Sequence, residues 1–107
     1  MKEAELQSGI IDLAHALGWI VAHFRPALTD KGWRTPVEAD GAGFPDLVLV
    51  RDRIIFAECK VGGRALRPEQ SRWLAALRNA SPATGVEVYT WTDGDWKAGV
   101  IEDRLQW

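Results

Sequence analysis

Two apolar segments separated by a short polar turn constrain the fold of this chain more than any other feature. Residues 46–50 and 53–60 are rich in Val, Ile and Leu, and Arg51 and Asp52 stand between them. Segments of this length and composition are typical of β-strands. Strands joined by so short a turn pair antiparallel, because parallel pairing needs a much longer crossover. The sequence therefore predicts an antiparallel hairpin.

Three charged side chains stand at the same end of this hairpin. Asp46 begins the first strand, and Glu58 and Lys60 end the second. Alternate residues of a strand point to one face, so Glu58 and Lys60 share a face while Cys59 points to the other. Counting back around the turn places Asp46 beside the segment from Glu58 to Lys60. We therefore expect the three charged groups to converge where the strands end.

Two carboxylates and an ammonium in this arrangement suit metal-dependent phosphodiester hydrolysis. Asp46 and Glu58 can hold a divalent cation, which activates water and takes up charge on the phosphate. Lys60 can orient the water or stabilise the same charge, and the backbone carbonyl of Cys59 could reach the metal. A surface salt bridge, worth about 0–1 kcal/mol, is the alternative interpretation. Charges inside apolar strands are costly without a role, which favours the metal site.

The first helix offers a further acidic ligand. Residues 3–17 have the apolar period of a helix, and Glu3 shares the phase of Leu6 and Ile10. Glu3 should therefore face the sheet, whereas Glu5 lies on the polar side. The alternative role for Glu3 is that of an acid favoured in the first turn by the helix dipole.

The second helix carries a glutamine on its apolar stripe. We expect this helix to run from Pro68 to about Asn79, with Gln70 in the phase of Trp73 and Leu74. A buried glutamine needs a polar partner, for which a carboxylate or a metal-bound water is suited. A boundary glutamine with its amide in solvent is the alternative.

The remaining segments complete a mixed α/β pattern. The sequence predicts strands at 19–24 and 86–92, a long loop over 25–45, and a tail, 96–107, that fits either a short helix or a strand with coil. The resulting order, α-β-β-β-α-β, predicts a mixed sheet flanked by helices. We find no linker or repeat, so residues 1–107 should form one domain.

Charge is unevenly distributed along the chain. Its net charge is −2, but residues 25–78 hold ten Lys and Arg against seven Asp and Glu, while the flanks hold three against eight. The central excess favours contact with phosphate, although an ordinary mixed surface is the alternative. The cations that we expect to bind nucleic acid lie in the two loops beside the charged trio: Arg25, Lys31, Arg34, Arg64 and Arg67. Trp33, between two of them, is a candidate for stacking on a base.

The sequence also indicates a cellular setting. No apolar run approaches the roughly 20 residues of a membrane span, and the polar N-terminus is unlike a signal peptide. The single cysteine, Cys59, excludes an internal disulfide. We therefore expect a cytoplasmic protein with no membrane partner.

Four sequence segments resemble the VRR-NUC branch of the PD-(D/E)XK nuclease superfamily. They are Glu3-Ala-Glu-Leu-Gln7, Gly43-Phe-Pro-Asp46, Phe56-Ala-Glu58-Cys-Lys60, and Leu66-Arg-Pro-Glu-Gln70 followed by Trp73. The resemblance covers nearly the whole chain. Two positions differ from the usual motif, since Arg67 replaces a capping Ser or Thr and Cys59 replaces an aliphatic residue.

The resemblance implies a restriction-endonuclease-like core and structure-selective DNA cleavage with Mg²⁺ or Mn²⁺. It implies Glu3, Asp46 and Glu58 as metal ligands, Lys60 as the catalytic lysine and Gln70 as a supporting site residue. Stand-alone members occur in bacteria and phages and are similar to dimeric resolvases of four-way junctions, so a homodimer is expected. A non-catalytic DNA-binding module, or a nuclease acting on flaps, ends or RNA, remains the alternative.

Overall fold

The predicted hairpin forms the middle of a four-stranded mixed sheet. The structure is a computed structural model that describes residues 1–25, 27–34 and 36–107. Its elements, in chain order, are α1 (Glu3–Ala16), β1 (Ile20–His23), β2 (Ala27–Thr29), β3 (Gly32–Arg34), β4 (Leu47–Val50), β5 (Ile54–Lys60), α2 (Pro68–Thr84), β6 (Glu87–Thr92), α3 (Asp93–Lys97) and α4 (Val100–Gln106). The sheet order is β1-β4-β5-β6, with β5 and β6 parallel and the other neighbours antiparallel.

This architecture confirms the predicted α/β class with a mixed sheet, and the main sheet follows the predicted α-β-β-β-α-β order, to which α3 and α4 are added. The hairpin connection is one residue longer than predicted, because Arg53 stays outside the strand and Val50 pairs with Ile54. The N–H of Arg51 donates to the carbonyl of Arg53 at 3.1 Å, which closes the turn. The register that follows decides which residue lies opposite Asp46.

The loop predicted over residues 25–45 is partly wrong, because it contains a second, two-stranded sheet. In it β2 pairs antiparallel with β3, and Leu28 lies opposite Trp33. Each strand has only three residues, too few for an alternating pattern to stand out in a segment rich in proline and glycine. Pro26 and Thr35, which belong to the predicted loop, lie outside the described residues.

Helix α2 and the tail also differ from the sequence expectation. The helix continues past Asn79 to Thr84, with Pro82 in its last turn, and Gly85 ends it in a left-handed conformation with φ of 73°. Pro82 has no N–H to donate to the carbonyl of Arg78, so one helical hydrogen bond is missing in the last turn. The ambiguous tail is helical, since α3 begins directly after β6 and α4 follows Gly99. None of the helices in the described part of the chain has the length and apolar character that a membrane span requires.

One face of the sheet carries the main core. The alternate residues Ile55, Ala57 and Cys59 of β5 are buried there against apolar side chains of α1 and α4. Cys59 therefore points away from the face that carries Glu58, as predicted.

The opposite face is covered by α2 and by a cluster of aromatic rings. Phe44 is its centre, with edge-on contacts to Phe24, Phe56 and Trp73 at centroid distances of 5.3, 6.0 and 5.0 Å. Leu74 of α2 is buried. Helices thus pack on both faces of the sheet, and the charged end of β5 lies beneath the N-terminal turn of α2.

Candidate active site

The strand register brings Asp46 and Glu58 together. Leu47 pairs with Ala57, so one further antiparallel step places Asp46, just before β4, opposite Glu58. Cross-strand neighbours lie on the same face of the sheet, about 4.5–5.5 Å apart at Cβ. The Oδ2 atom of Asp46 also accepts a hydrogen bond from the backbone N–H of Cys59 at 2.9 Å. Asp46 is therefore held against the end of β5, as the sequence predicts.

The carboxylate of Glu58 is buried and clamped on one side by Gln70. Glu58 is only 1% exposed and Gln70 only 5%. The side-chain amide of Gln70 donates to Oε1 of Glu58 at 3.1 Å, while its carbonyl oxygen accepts from the backbone N–H of Arg67 at 2.9 Å. Since a backbone N–H can only donate, the second bond fixes which end of the amide meets Glu58. The sequence expectation that Gln70 needs a buried polar partner is thus confirmed.

The second oxygen of Glu58 has no such partner. Oε2 is buried and accepts no hydrogen bond from a donor group of the described residues. Burial, followed by the negative charge of Asp46 and a hydrogen bond shared with its carboxylate, raises the pKa of Glu58 to about 9. A carboxyl group with this pKa is neutral at pH 7 unless a positive charge approaches it. The site therefore contains a buried carboxyl group beside a second carboxylate, an arrangement in which a nearby cation favours the ionised form of Glu58.

The Gly43-Phe-Pro-Asp46 segment positions this pair against α2. Gly43 has a φ of +83°, and a Cβ atom there would lie 2.5 Å from the backbone carbon of Glu69. Phe44 fills the aromatic cluster, and Pro45 is fully buried beside the sheet. Only glycine allows this close approach to the first turn of α2, so the segment sets the distance between Asp46 and that turn.

A cleft of about 1300 Å³ opens above the pair. Its wall is formed by the start of α1, the β2–β3 hairpin, the segment before Asp46, and the loop that leaves Lys60. Glu3, Asp46, Lys60 and Gln70 all line it, so four of the five predicted catalytic residues share one cavity. The fifth, Glu58, lies buried beneath Gln70.

Helix α1 places Glu3 rather than Glu5 towards this cleft. Glu3 is half-buried, and burial, followed by the charge of Asp46, raises its pKa. Glu5 is exposed, and its carboxylate accepts the backbone N–H of Lys2 at 3.4 Å. The helical phase predicted from the sequence is therefore observed.

Positive charge dominates the cleft. Four of the five predicted phosphate contacts, Lys31, Arg34, Arg64 and Arg67, line it. With Lys60 they make five cations against Glu3, Asp46 and Glu69, a net charge of +2 for the lining. Arg67 is partly neutralised, since its Nε lies 3.2 Å from Glu69 on the surface. The fifth predicted contact, Arg25, is exposed beyond β1 and is not among the residues that line the cleft.

Only two of the three predicted carboxylate ligands lie next to each other. Across residues 1–25, 27–34 and 36–107, no group of three or more His, Cys, Asp and Glu side chains is arranged to hold a metal ion. Glu3, Asp46 and Glu58 therefore do not form a ready-made three-carboxylate cluster: the adjacent pair is Asp46 and Glu58, and Glu3 stands on the cleft wall. Metal binding by the backbone carbonyl of Cys59 stays a prediction.

Two further polar residues stand at the edge of the site. Gln7, one helical turn after Glu3, lines the cleft and shares a hydrogen bond of 3.1 Å with Nε2 of His23. Burial lowers the pKa of His23; the charge of Asp46 opposes this shift, and the smaller effect of Arg25 adds to it. The four-residue spacing from Glu3 was the sequence signal that could have identified Gln7.

Neither a scan of protein-family models nor a search of curated proteins finds a significant match to this chain.

Proposed function

We propose that the protein is a divalent-metal-dependent endonuclease that hydrolyses phosphodiester bonds in DNA, with a PD-(D/E)XK core of the VRR-NUC kind. The observation that carries this proposal is the buried, unpartnered Oε2 of Glu58 beside Asp46, under a cationic cleft that contains Lys60. Oε2 of Glu58 has no donor among the described residues, and a cation bound between the two carboxylates would supply its partner.

The residues present fit Mg²⁺ or Mn²⁺. Mg²⁺ prefers oxygen ligands and is commonly held by one or two carboxylates, with waters in its remaining positions. Asp46 and Glu58 supply such a pair, so a third carboxylate in the same cluster is not required. The backbone carbonyl of Cys59 is a further oxygen on the same strand. When bound there, the cation would lower the pKa of a water nucleophile and take up charge on the scissile phosphate.

The side chains around the pair have distinct roles in this proposal. Lys60, on the same face as Glu58, orients the attacking water and stabilises the charge that develops on the phosphate. Gln70 occupies Oε1 of Glu58 and so leaves Oε2 as the ligand oxygen. Glu3, on the cleft wall, accepts hydrogen bonds from the waters that complete the site.

The cleft supports a nucleic acid as the substrate. Its net charge of +2 lies on a chain of net charge −2, so the positive field is local to the site. Cations placed along a groove bind the phosphate backbone and release counterions. We include in the proposal the branched DNA substrate, the homodimer and the cytoplasmic setting, which rest on the sequence and on the family resemblance.

A cleavage assay tests the proposal. Labelled duplex, flap, single-stranded and four-way-junction DNA are each incubated with the protein in Mg²⁺, Mn²⁺ or EDTA, beside a matched RNA. We expect strand cleavage with either cation, none in EDTA, and the fastest cleavage on branched DNA. Asp46→Asn should lower the rate by about 10²-fold or more with its folding intact.

Asp12→Asn is the matched control for this assay. Asp12 is an exposed acid on the polar side of α1, so its replacement should leave the rate unchanged. Binding that is independent of metal, with no cleavage of any substrate, would instead establish a non-catalytic DNA-binding module. Cleavage confined to RNA would contradict the assigned substrate.

A further inference from the structure

The β2–β3 hairpin carries two large apolar side chains that are mostly exposed. Trp33 is 65% exposed and Leu28 is 69% exposed. The two residues are cross-strand partners, so their side chains lie next to each other on one face of the hairpin. Adjacent exposed apolar side chains of this size indicate a contact surface rather than ordinary solvated loop.

Trp33 belongs to the same cleft as the candidate catalytic residues. It lines that cavity with Asp46 and Lys60. Its neighbour Arg34 also lines the cavity and donates a hydrogen bond to the backbone carbonyl of Trp33 at 2.9 Å, which fixes the guanidinium close to the strand. An aromatic ring and cationic side chains therefore line the same cavity.

We propose that Trp33 is a stacking subsite for an unpaired nucleobase of the polynucleotide whose phosphates lie along the cleft. The inference rests on the proposed function, since it takes a polynucleotide as the ligand. It adds that the substrate must contain unpaired nucleotides. Bases inside a duplex present their faces only to one another. Away from duplex ends, a base can stack on Trp33 only where it is unpaired, so the subsite selects DNA with single-stranded nucleotides beside the scissile phosphate.

Charge favours a nucleic acid over other occupants of this surface. The cations nearest to Trp33 in sequence, Lys31 and Arg34, line the same cleft, whose lining carries a net charge of +2. A single-stranded nucleic acid satisfies both parts of the surface, because its phosphates meet the cations while its base meets the ring. Leu28 extends the apolar surface at the edge of the stacked base.

Binding measurements without metal separate the subsite from catalysis. In EDTA, fluorescence anisotropy gives the affinity of the full chain for three probes of one sequence: a single strand, a duplex with a single-stranded overhang, and a blunt duplex. Loss of one aromatic platform weakens binding by about 5- to 150-fold. We expect Trp33→Ala to lose at least about fivefold on the first two probes and less than about twofold on the blunt duplex. Trp33→Phe should retain most of the affinity.

Two controls separate base contacts from other effects. Trp107→Ala removes a tryptophan that is 71% exposed and outside the cleft, and it should bind all three probes as the parent does. Arg64→Ala, which removes a predicted phosphate contact, should weaken all three probes alike. A 2-aminopurine in the overhang should be quenched by the parent but not by Trp33→Ala.

The outcomes distinguish this inference from the proposed function. If the parent cleaves DNA but Trp33→Ala binds the three probes as the parent does, the subsite is overturned and the nuclease proposal stands. If Trp33→Ala binds only the single strand and the overhang more weakly, and the parent never cleaves DNA, the subsite is supported and the nuclease proposal is overturned. Equal losses on all probes, a changed oligomeric state in sedimentation as the only effect of Trp33→Ala, or a parent that binds no probe would each overturn the subsite.

Discussion

Gln70 holds one oxygen of Glu58 and leaves the other without a partner. Its amide donates to Oε1 at 3.1 Å, and Oε2 is buried with no donor group facing it in the described part of the chain. The amide is itself fixed, because its oxygen accepts from the N–H of Arg67 at the start of α2. The first turn of one helix thereby sets the orientation of a carboxylate on the neighbouring sheet.

Loss of the hydrogen bond from Gln70 to Glu58 should weaken metal binding in a protein that still folds. Gln70→Ala frees Oε1 and lets the carboxylate of Glu58 rotate, and the loss of such a supporting hydrogen bond typically costs 10- to 100-fold in metal affinity or activity. Isothermal titration with Mn²⁺ measures the affinity. Gln106→Ala, which removes an exposed glutamine on α4, is the control. Equal Mn²⁺ affinity in the parent and in Gln70→Ala would show that the clamp does not orient a ligand.

The raised pKa of Glu58 should make the metal-free protein less stable as the pH rises. The folded state keeps the proton of Glu58 up to about pH 9, whereas the unfolded chain loses it near the ordinary value of 4.5. Between these values the folded state binds more protons than the unfolded state. The free energy of unfolding therefore falls with increasing pH, by at most about 1.4 kcal/mol per pH unit from this group.

Glu58→Gln should remove that part of the pH dependence. Urea denaturation in EDTA at several pH values between 5 and 9 compares the parent, Glu58→Gln and the exposed control Glu5→Gln. Because the pKa of Glu3 is also raised, a smaller slope of the same sign should persist in Glu58→Gln. Parallel curves for all three proteins would mean that Glu58 titrates normally.

Glu3 and Glu5 form a matched pair for the cleft wall. Only Glu3 lines the cleft, and Glu5 is exposed near Lys2. We expect Glu3→Gln to reduce the rate of DNA nicking in Mn²⁺ by about tenfold or more, because it removes a charge at the site. Glu5→Gln should nick at the parental rate. A reduced rate for Glu5→Gln alone would show that the other side of α1 serves the site.

The fit between Gly43 and α2 predicts a large loss of stability for Gly43→Ala. Gly63 has a similar φ of +69°, but a Cβ atom there meets nothing within 4 Å. Gly63→Ala therefore measures the backbone cost alone, about 1–2 kcal/mol. Gly43→Ala should cost a further 1–3 kcal/mol or so, because its Cβ overlaps the backbone of Glu69. Equal unfolding free energies for the two variants, from urea titration, would contradict the close packing.

The sequence predicts the elements that depend on local pattern. Alternation within the β4–β5 hairpin and its short turn are enough to place Asp46 beside the end of β5, while its pairing with Glu58 follows from the three-residue connection. The helical period is enough to turn Glu3 inward. The burial of Glu58 could not be predicted in the same way, because it depends on how α2 docks over the end of β5. The aromatic cluster around Phe44, which secures that docking, joins segments that are distant in sequence.

The β2–β3 hairpin and the C-terminal end of α2 were not predicted, because proline and glycine in these segments indicate a loop or a helix end. The β2–β3 hairpin has strands of three residues within a segment rich in proline and glycine, so Trp33 was predicted to lie in a loop. Pro82 suggests an earlier end of α2, yet the helix continues around it to Gly85. The additional residues of α2 lie at the opposite end of the helix from Gln70. The β2–β3 hairpin, which was not predicted, forms part of the cleft wall.

The rate of a single turnover with Lys60→Ala tests the central claim most directly. The parent, Lys60→Ala and the exposed control Lys97→Ala are each mixed in excess with labelled branched DNA and Mg²⁺. Circular dichroism confirms folding, and binding is measured in Ca²⁺, where cleavage should be suppressed. We expect Lys60→Ala to cleave about 10²-fold more slowly or worse, with binding within a few-fold of the parent, and Lys97→Ala to match the parent. A folded Lys60→Ala protein that cleaves at the parental rate would contradict the assignment of this site.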